Sequence, residues 1–176
     1  MASRLPLRRR REEQGYSGRM FWHEGPLAVL DLEATGVDTR EARIIEVALF
    51  RFETNGSSMP LVDRLIDPGV TLPAKVTDLT GIRPEDLATR GGDPAEVLAA
   101  TCSAIGDLVD DGVPIVIYNA TYDWPLLAAE LARYGVGALP PVPPAILIDP
   151  LVLDRHLDRY RRGKRTLTTV AAHYAV

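Results

Sequence analysis

Two carboxylates, Asp31 and Glu33, are separated by a single residue where the apolar run Leu27–Leu32 reaches Ala34-Thr35-Gly36. In an extended strand, residues i and i+2 point to the same face, so both side chains project together at the end of that strand. Adjacent like charges repel, which raises one pKa and costs stability unless a positive charge lies between them. Carboxylate oxygens are ligands that divalent cations such as Mg²⁺ prefer. The pair therefore predicts a site for a divalent cation.

A third acid, Asp123, follows another apolar segment, Ile115–Tyr118, with Asn119 four residues before it. Open α/β sheets carry functional groups at the ends of their strands, so Asp123 joins Asp31 and Glu33 if the two strands are neighbours. Taken one at a time, these acids are explained as helix-start, turn or surface residues. Taken together, their types and spacing favour a functional cluster.

Three strands are predicted in the first part of the domain that positions these acids. Leu27–Leu32 is an apolar run of strand length that suits burial on both faces. Ile44–Phe52 is also strand-like, and the turn residues Asn55-Gly56-Ser57-Ser58 allow Leu61–Ile66 to return as a hairpin partner. We therefore predict a three-stranded meander.

The rest of the chain alternates between helices and strands. Asp93 is a predicted N-cap with Pro94 at the first helical position, and the apolar spacing carries this helix to about Asp110, before Gly112. Further elements are predicted at Ile115–Tyr118 (strand), Trp124–Tyr134 (helix ended by Gly135), Ala145–Ile148 (strand), Leu151–Tyr160 (helix) and from Thr166 onward (helix). This order predicts an α/β fold, in which the three-stranded meander and parallel strands form a mixed sheet with helices packed on it.

The composition limits the class of protein. The chain has 176 residues, a formal net charge of −4 and a single cysteine, Cys102. These values suit one domain without disulfides and argue against a generally basic nucleic-acid coat, although they leave room for basic patches. No apolar run approaches the ~18 residues of a membrane span, so we expect a soluble, cytoplasmic protein that does not associate with membranes.

The first 20 residues differ in composition from the rest, since they carry Arg8–Arg11 and little that could be buried. We predict a flexible basic arm over residues 1–20, ahead of a domain over residues 21–176. Two interpretations stay open for the arm. A solvated tail is favoured for short terminal charge runs, and a segment that binds phosphate is the alternative.

Several segments resemble known motifs in the same order along the chain: Asp31-Leu32-Glu33-Ala34-Thr35-Gly36, Arg43–Ala48, Leu79–Ile82 and Tyr118–Asp123. They are similar to the motifs of the DEDD superfamily of 3′ to 5′ exonucleases, which includes the proofreading (epsilon) subunit of bacterial DNA polymerase III. Ile148–Arg155 and Leu167–Val176 resemble the stretch that leads to that family's third motif. The resemblance runs from about residue 27 to the end, and its specificity lies in the ordered set, because the first motif alone would be a weak match.

The resemblance implies a ribonuclease H-like fold and a 3′ to 5′ exonuclease that releases nucleoside 5′-monophosphates. It implies two Mg²⁺ or Mn²⁺ ions, with Asp31 bridging both, Glu33 holding the ion on the nucleophile's side and Asp123 helping to hold the other. Such ions, roughly 3.5 to 4 Å apart, supply a nucleophile at neutral pH and neutralise charge on the phosphate. The implied substrate is a single-stranded 3′ end, with DNA favoured over RNA, and a polymerase is an implied partner.

The resemblance also implies which residues contact the substrate. The terminal nucleotide would be gripped by Ala34, Thr35, Gly36, Leu79, Thr80, Asn119 and Tyr122. A basic loop supplies candidate phosphate contacts for the entering strand: Arg161, Arg162, Lys164 and Arg165. A solvated loop explains these charges equally well.

The sequence departs from the family pattern near its C-terminal end. The family carries a fourth aspartate five residues after a histidine that serves as general base, and no such pair follows before Val176. We assign neither His156 nor His173 as that base. His156 is expected on a solvated helix face, and His173 is expected near the start of the last helix.

Two acids near this end, Asp149 and Asp154, are candidates for a substitute ligand, but a helix-start acid and a surface acid are the preferred interpretations. Two explanations of the missing pair stay open. We favour a longer domain whose C-terminal helix and third motif are absent from the given sequence, because an ending inside a predicted helix leaves its apolar face unfinished. The alternative is a catalytically impaired module that binds nucleic acid or a polymerase.

Overall fold

A computed structural model describes residues 22–143 and 146–176, so the basic arm predicted for residues 1–20 lies outside the described residues. The strands within the described ranges are β1 (Leu27–Ala34), β2 (Ile44–Phe52), β3 (Ser58–Leu65), β4 (Ile115–Val116) and β5 (Leu147–Ile148). They form one sheet in the order β3-β2-β1-β4-β5. Since β1, β2 and β3 pair antiparallel while β4 and β5 continue the sheet in parallel, the predicted mixed sheet is confirmed.

The described helices follow the meander and separate the parallel strands. They are α1 (Ala74–Thr80), α2 (Pro84–Arg90), α3 (Pro94–Asp111), α4 (Ala120–Tyr134), α5 (Pro150–Leu157) and α6 (Leu167–Tyr174), after a short 3₁₀ turn at Trp22–Glu24. Among the helices described, none is both long and apolar enough to cross a membrane.

The meander sets the two faces of the sheet. Leu30 and Leu32 are buried in the main core, whereas Asp31 and Glu33 alternate with them and point to the other face. The β1–β2 register places Glu33 directly opposite Glu46. The predicted limits of β2 are confirmed, and β1 runs two residues further than predicted, so both acids lie within the strand.

Helix α3 forms as its sequence predicts. The Asp93 side chain accepts a hydrogen bond from the backbone N–H of Glu96 at 3.0 Å, Pro94 takes the first helical position, and Gly112 ends the helix at a φ of 70°. A left-handed φ of this kind favours glycine, because it has no Cβ. The predicted apolar stripe is the buried face of the helix: Val97, Leu98, Thr101, Ile105 and Leu108.

The junction between β4 and α4 differs from its prediction. β4 was expected at Ile115–Tyr118 and α4 from Trp124, but the strand ends at Val116 and the helix begins at Ala120. Pro125 lies inside α4. The early start has a tertiary cause, because Asp149 at the end of β5 accepts hydrogen bonds from the first backbone N–H groups of this turn.

Two short helices, α1 and α2, were not predicted. Each has seven residues, which is too short to produce a clear helical period. Val76, Ile82 and Leu87 from this region pack with Ile45 and Leu72 in a small apolar cluster separate from the main core. This second cluster fixes α1 and α2 beside the meander, close to Glu46 at the start of β2.

The segment after α5 folds back on that helix. Asp154, expected at the surface, is 2% exposed, so that expectation is wrong. Its carboxylate accepts hydrogen bonds from Arg161 Nε at 3.2 Å, from the Arg165 guanidinium and from the Tyr174 hydroxyl at 3.3 Å. Because the chain turns back toward this acid, α5 ends at Leu157, before the predicted Tyr160.

The two histidines of this region lie outside the Asp154 cluster. His156 is exposed on α5, which confirms its expected position. His173 lies in the last turn of α6 and contacts Asp158 at 3.1 Å, so its expected place near the start of a helix is wrong. Thr166 caps α6 as predicted, by accepting a hydrogen bond from the backbone N–H of Thr169.

Replacing Asp154 should destabilise the protein strongly. Asp154→Asn leaves the guanidinium groups of Arg161 and Arg165 without their buried counter-charge, which typically costs about 3–5 kcal/mol. A domain of this size loses about 2–4 °C in Tm per kcal/mol. Thermal unfolding followed by circular dichroism measures the difference. Asp158→Asn removes a surface acid that pairs with His173 and is the control; equal losses of Tm in the two variants would contradict the assignment.

Candidate active site

The acidic pair of β1 occupies the sheet face that points away from the main core. Asp31 is exposed and Glu33 is half-buried. Desolvation raises the pKa of Asp31, although the adjacent Leu32 N–H opposes the shift. Desolvation also raises the pKa of Glu33, and the charges of Asp31 and Glu46 raise it further. The two carboxyls thus resist ionising together, as the sequence pattern predicts for a pair without a cation between them.

Asp123 reaches the same strand from α4. β4 pairs with β1 only at Ala28 and Val29, so the later residues of β1 extend past their parallel neighbour. The Leu32 N–H of that segment lowers the pKa of Asp31 and of Asp123, which places both carboxyls beside one amide. Burial is the stronger effect on Asp123, which is 4% exposed, and raises its pKa to about 7, with the charges of Asp31 and Glu33 acting in the same direction.

These three acids have no cationic side chain to neutralise them. Within residues 22–143 and 146–176, none of them takes part in an ion pair. In the same ranges, no three acidic, histidine or cysteine side chains stand close enough to enclose a metal ion by themselves. Carboxylates without an ion-pair partner in these ranges are compatible with a divalent cation, which can bind through one or two carboxylates together with water.

Glu46 is a fourth acid on this face that the sequence interpretation missed. It lies opposite Glu33 in the antiparallel ladder. Desolvation raises its pKa, Asp63 and Asp31 raise it further, and Arg90 opposes the shift. Strand alternation alone could have placed Glu46 on one of the two faces. Its pairing with Glu33 depends on the β1–β2 register. That register could not be predicted from the sequence, because the loop between the two strands does not determine it.

A groove extends from this acidic face towards α1 and α2. It has a volume of about 460 Å³ and is lined by Glu46, Asp63, Arg64, Leu65, Thr80, Gly81, Ile82, Asp86 and Arg90. The predicted substrate contact Leu79 lies at the end of α1 and is 75% exposed. The Thr80 hydroxyl is already occupied, since it donates to the Val76 carbonyl at 2.9 Å and accepts from the Ile82 N–H at 3.1 Å.

The substrate contacts predicted at the end of β1 lie close to α4. Thr35 Oγ1 accepts a hydrogen bond from the Arg43 N–H at 2.9 Å, and the Tyr122 hydroxyl donates to the Gly36 carbonyl. Ala34 is the last residue of β1. Desolvation and the charges of Asp123 and Glu33 raise the pKa of Tyr122, so its phenol stays neutral beside the acids. The structure thus brings Thr35, Gly36 and Tyr122 together at the edge of the acidic cluster.

Asp149 orders the turn that carries Asp123. Its two carboxylate oxygens accept from the N–H groups of Asn119 and Ala120, each at 3.0 Å, and from that of Leu151 at 2.9 Å. Asn119 adopts a left-handed φ of 64°, which asparagine tolerates better than most residues. The helix-start role expected of Asp149 is confirmed, and its oxygens are engaged by backbone amides of two helices.

The basic loop lies near the same end of β4, because the Tyr118 hydroxyl donates to the Arg165 carbonyl at 2.7 Å. Arg161 and Arg165 are engaged by the buried carboxylate of Asp154, a contact that their predicted role did not include. Arg162 and Lys164 are exposed. Phosphate binding stays a prediction for this loop, with Arg162 and Lys164 the residues whose charges face solvent.

Comparisons with known proteins agree with this arrangement of motifs. A family model described as RNase_T exonuclease matches residues 28–176. The PolC-type DNA polymerase III of Streptococcus pyogenes serotype M18 is 31% identical over 144 residues, a match that covers 81% of this chain and 9% of the relative. The chain thus corresponds to a small part of that polymerase.

Solved structures show the same fold at low sequence identity. E. coli exonuclease I in complex with a dT13 oligonucleotide matches with a TM-score of 0.61 and 16% identity, over 82% of this chain and 32% of that one. Exonuclease I from Methylocaldum szegediense matches with a TM-score of 0.56 and 20% identity, again over 82% and 32%. The fold is therefore ribonuclease H-like, and with the family match over residues 28–176 the chain belongs to the RNase_T exonuclease family of DEDD nucleases.

Proposed function

We propose that this domain is a divalent-metal-dependent 3′ to 5′ exonuclease that releases nucleoside 5′-monophosphates from single-stranded 3′ ends. The observation that carries the proposal is the meeting of Asp31, Glu33 and Asp123 around one segment of β1, with no ion-pair partner among the described residues. Such a cluster is costly to maintain in an empty state, because each carboxyl disfavours ionisation of the others. Its cost is offset when cations and a phosphodiester complete the site.

The residues present suit Mg²⁺ or Mn²⁺, and exonuclease domains of this family generally use divalent ions. Asp31, Glu33 and Asp123 would hold these ions, Asp31 as a shared ligand, Glu33 on the side of the nucleophile and Asp123 on the other side. When bound, such ions supply an ionised water and neutralise charge that develops on the phosphate oxygens.

The chain's own side chains would orient the strand end. Tyr122, held at its hydroxyl by Gly36, places its ring at the side of the cluster, where it can pack against the terminal nucleotide. Its neutral phenol avoids adding negative charge beside Asp123. The exposed Leu79 would make an apolar contact with the substrate, and Arg162 and Lys164 would attract the phosphates of the entering strand.

We favour DNA over RNA and association with a replicative polymerase. The similar PolC-type proteins are DNA polymerases, and the similar exonuclease I is described in complex with an oligodeoxynucleotide. Both lines of support come from relatives, and the alignment with PolC covers a small part of that chain. Comparing degradation of matched DNA and RNA oligonucleotides tests the first preference.

The proposed activity predicts stepwise shortening of a 5′-labelled single strand with Mg²⁺ or Mn²⁺. Asp31→Asn and Asp123→Asn should each slow it at least about 10²-fold, because loss of a metal-binding carboxylate removes several kcal/mol of transition-state stabilisation. Gel analysis gives the ladder, and chromatography identifies the released mononucleotide.

The matched control for this assay is Asp107→Asn, which makes the same chemical change at an exposed position of α3. Its rate should equal that of the unsubstituted protein. Shortening that persists in EDTA, or that proceeds equally in Asp31→Asn, would contradict the metal-dependent assignment. Mononucleotides released from the 5′ end would contradict the polarity.

The raised pKa of Asp123 predicts an unusual dependence of stability on pH. Its pKa moves from the ordinary 3.8 to about 7 in the folded protein, so between these values the folded state binds more protons than the unfolded state. The free energy of unfolding contributed by this group must then fall as the pH rises through that window. Without metal, Tm should be lower at pH 8 than at pH 5.5.

Asp123→Asn should reduce this pH dependence and raise Tm at pH 8 in EDTA, by about 2–4 °C per kcal/mol of relieved repulsion. Adding Mg²⁺ or Mn²⁺ should raise the Tm of the unsubstituted protein more at pH 8 than at pH 5.5, because cation binding favours the ionised carboxyls. Differential scanning fluorimetry measures both effects. An Asp123→Asn variant with an unchanged pH profile would show that Asp123 titrates normally.

A further inference from the structure

A buried ion pair connects α4 to the loop that follows β1. Glu130 of α4 is fully buried, and its carboxylate accepts hydrogen bonds from Arg43 Nε at 3.1 Å, from the Ile44 N–H at 3.1 Å and from the Arg133 guanidinium. The Arg43 guanidinium also lies over the ring of Tyr134, 5.1 Å from its centroid. A single acid therefore joins the start of β2 to the middle of α4.

The same arginines fix the backbone of the loop. Arg43 and Thr35 face each other across its ends, with the Thr35 N–H donating to the Arg43 carbonyl at 2.9 Å and the Arg43 N–H donating to Thr35 Oγ1 at 2.9 Å. The Arg133 guanidinium donates to the carbonyls of Arg40 at 2.6 Å and Ala42 at 3.3 Å. The loop is thus held along its C-terminal half by groups that depend on Glu130.

A second attachment holds the other half of the loop. The Tyr122 hydroxyl donates to the Gly36 carbonyl from the first turn of α4. Tyr122 and Glu130 are eight residues apart on one helix, so they lie on the same side of it. Because a helix moves as a rigid unit, the two attachments fix the loop relative to the turn that carries Asp123.

Stability alone gives a weak reason for burying this pair, since well-packed apolar side chains often replace a buried ion pair without loss. A directional contact is suited instead to fixing one geometry of a loop. We infer that Glu130 is a positioning residue. Through Arg43 it holds Thr35 and Gly36 in place against Tyr122, so that the binding site for the 3′-terminal nucleotide is preformed. The inference rests on the proposed exonuclease function and assigns it a residue remote from the acidic cluster.

The test compares Glu130→Gln with the unsubstituted full chain. Glutamine keeps the volume and one acceptor oxygen but loses the charge that pairs with Arg43 and Arg133. The dissociation constant for a deoxynucleoside 5′-monophosphate in saturating Mn²⁺ should rise about 10-fold or more, as expected when a supporting contact is lost. Mn²⁺ affinity without nucleotide, followed by electron paramagnetic resonance, should change less than about twofold, because Asp31, Glu33 and Asp123 remain.

Ile105→Val is the control for a general loss of stability, because it trims a fully buried side chain of α3 that is not part of this network. Hydrogen exchange of segment 35–43 is the second measurement. Its protection should fall in Glu130→Gln and stay unchanged in Ile105→Val. A double variant, Arg43→Met with Glu130→Gln, should lose less protection than the two single variants predict together, because the Arg43 charge that Glu130→Gln leaves unpaired is then also removed.

The outcomes separate this inference from the function on which it rests. Unchanged nucleotide affinity in Glu130→Gln, or an equal weakening in Ile105→Val, would overturn the positioning role while leaving the exonuclease proposal intact. If the unsubstituted protein neither binds a nucleotide nor shortens a strand, the proposed function and this inference fall together. Loss of protection confined to Glu130→Gln, with weaker nucleotide binding and unchanged Mn²⁺ affinity, supports the inference.

Discussion

Repulsion among the carboxylates around the end of β1 is the constraint on which the rest of the structure depends. Acids that repel one another drift apart unless the backbone that carries them is held. β1 is fixed by its antiparallel partner β2, and Asp123 is carried by a helix whose first turn is tied down by Asp149. The fold thus uses main-chain hydrogen bonds to hold side chains that would otherwise separate.

The buried acids of this protein divide into two kinds. Glu130 and Asp154 each have two guanidinium partners, and their carboxylates serve as attachment points for loops. Asp123 is almost as deeply buried, but within the described residues it takes part in no ion pair, and the charges of Asp31 and Glu33 raise its pKa. This contrast supports the proposed role of Asp123 more clearly than burial alone, because a buried charge without a partner is costly to keep.

Much of the fold could be predicted because its signals are local. The β2 limits, the capped helix α3 and the closeness of the Asp31 and Glu33 side chains follow from alternation, helical period and cap residues within short windows. α1 and α2 were missed because their stability comes from packing against Ile45 and Leu72, which are distant in sequence. Glu46 was missed because the β1–β2 register decides its surroundings. Asp154 was misplaced because a loop that folds back onto α5 decides its surroundings.

The short parallel strand β4 has a consequence for the order in which the protein folds. β1, β2 and β3 are joined by brief connections and can pair early, whereas β4 must return to β1 across α1, α2 and α3. Pairings that close long loops form late, since their entropic cost is high. Asp123 follows β4 in the sequence. We therefore expect a partly folded chain to bring Asp31 and Glu33 together before Asp123 joins them. The three acids are thus expected to come together only when the fold is nearly complete.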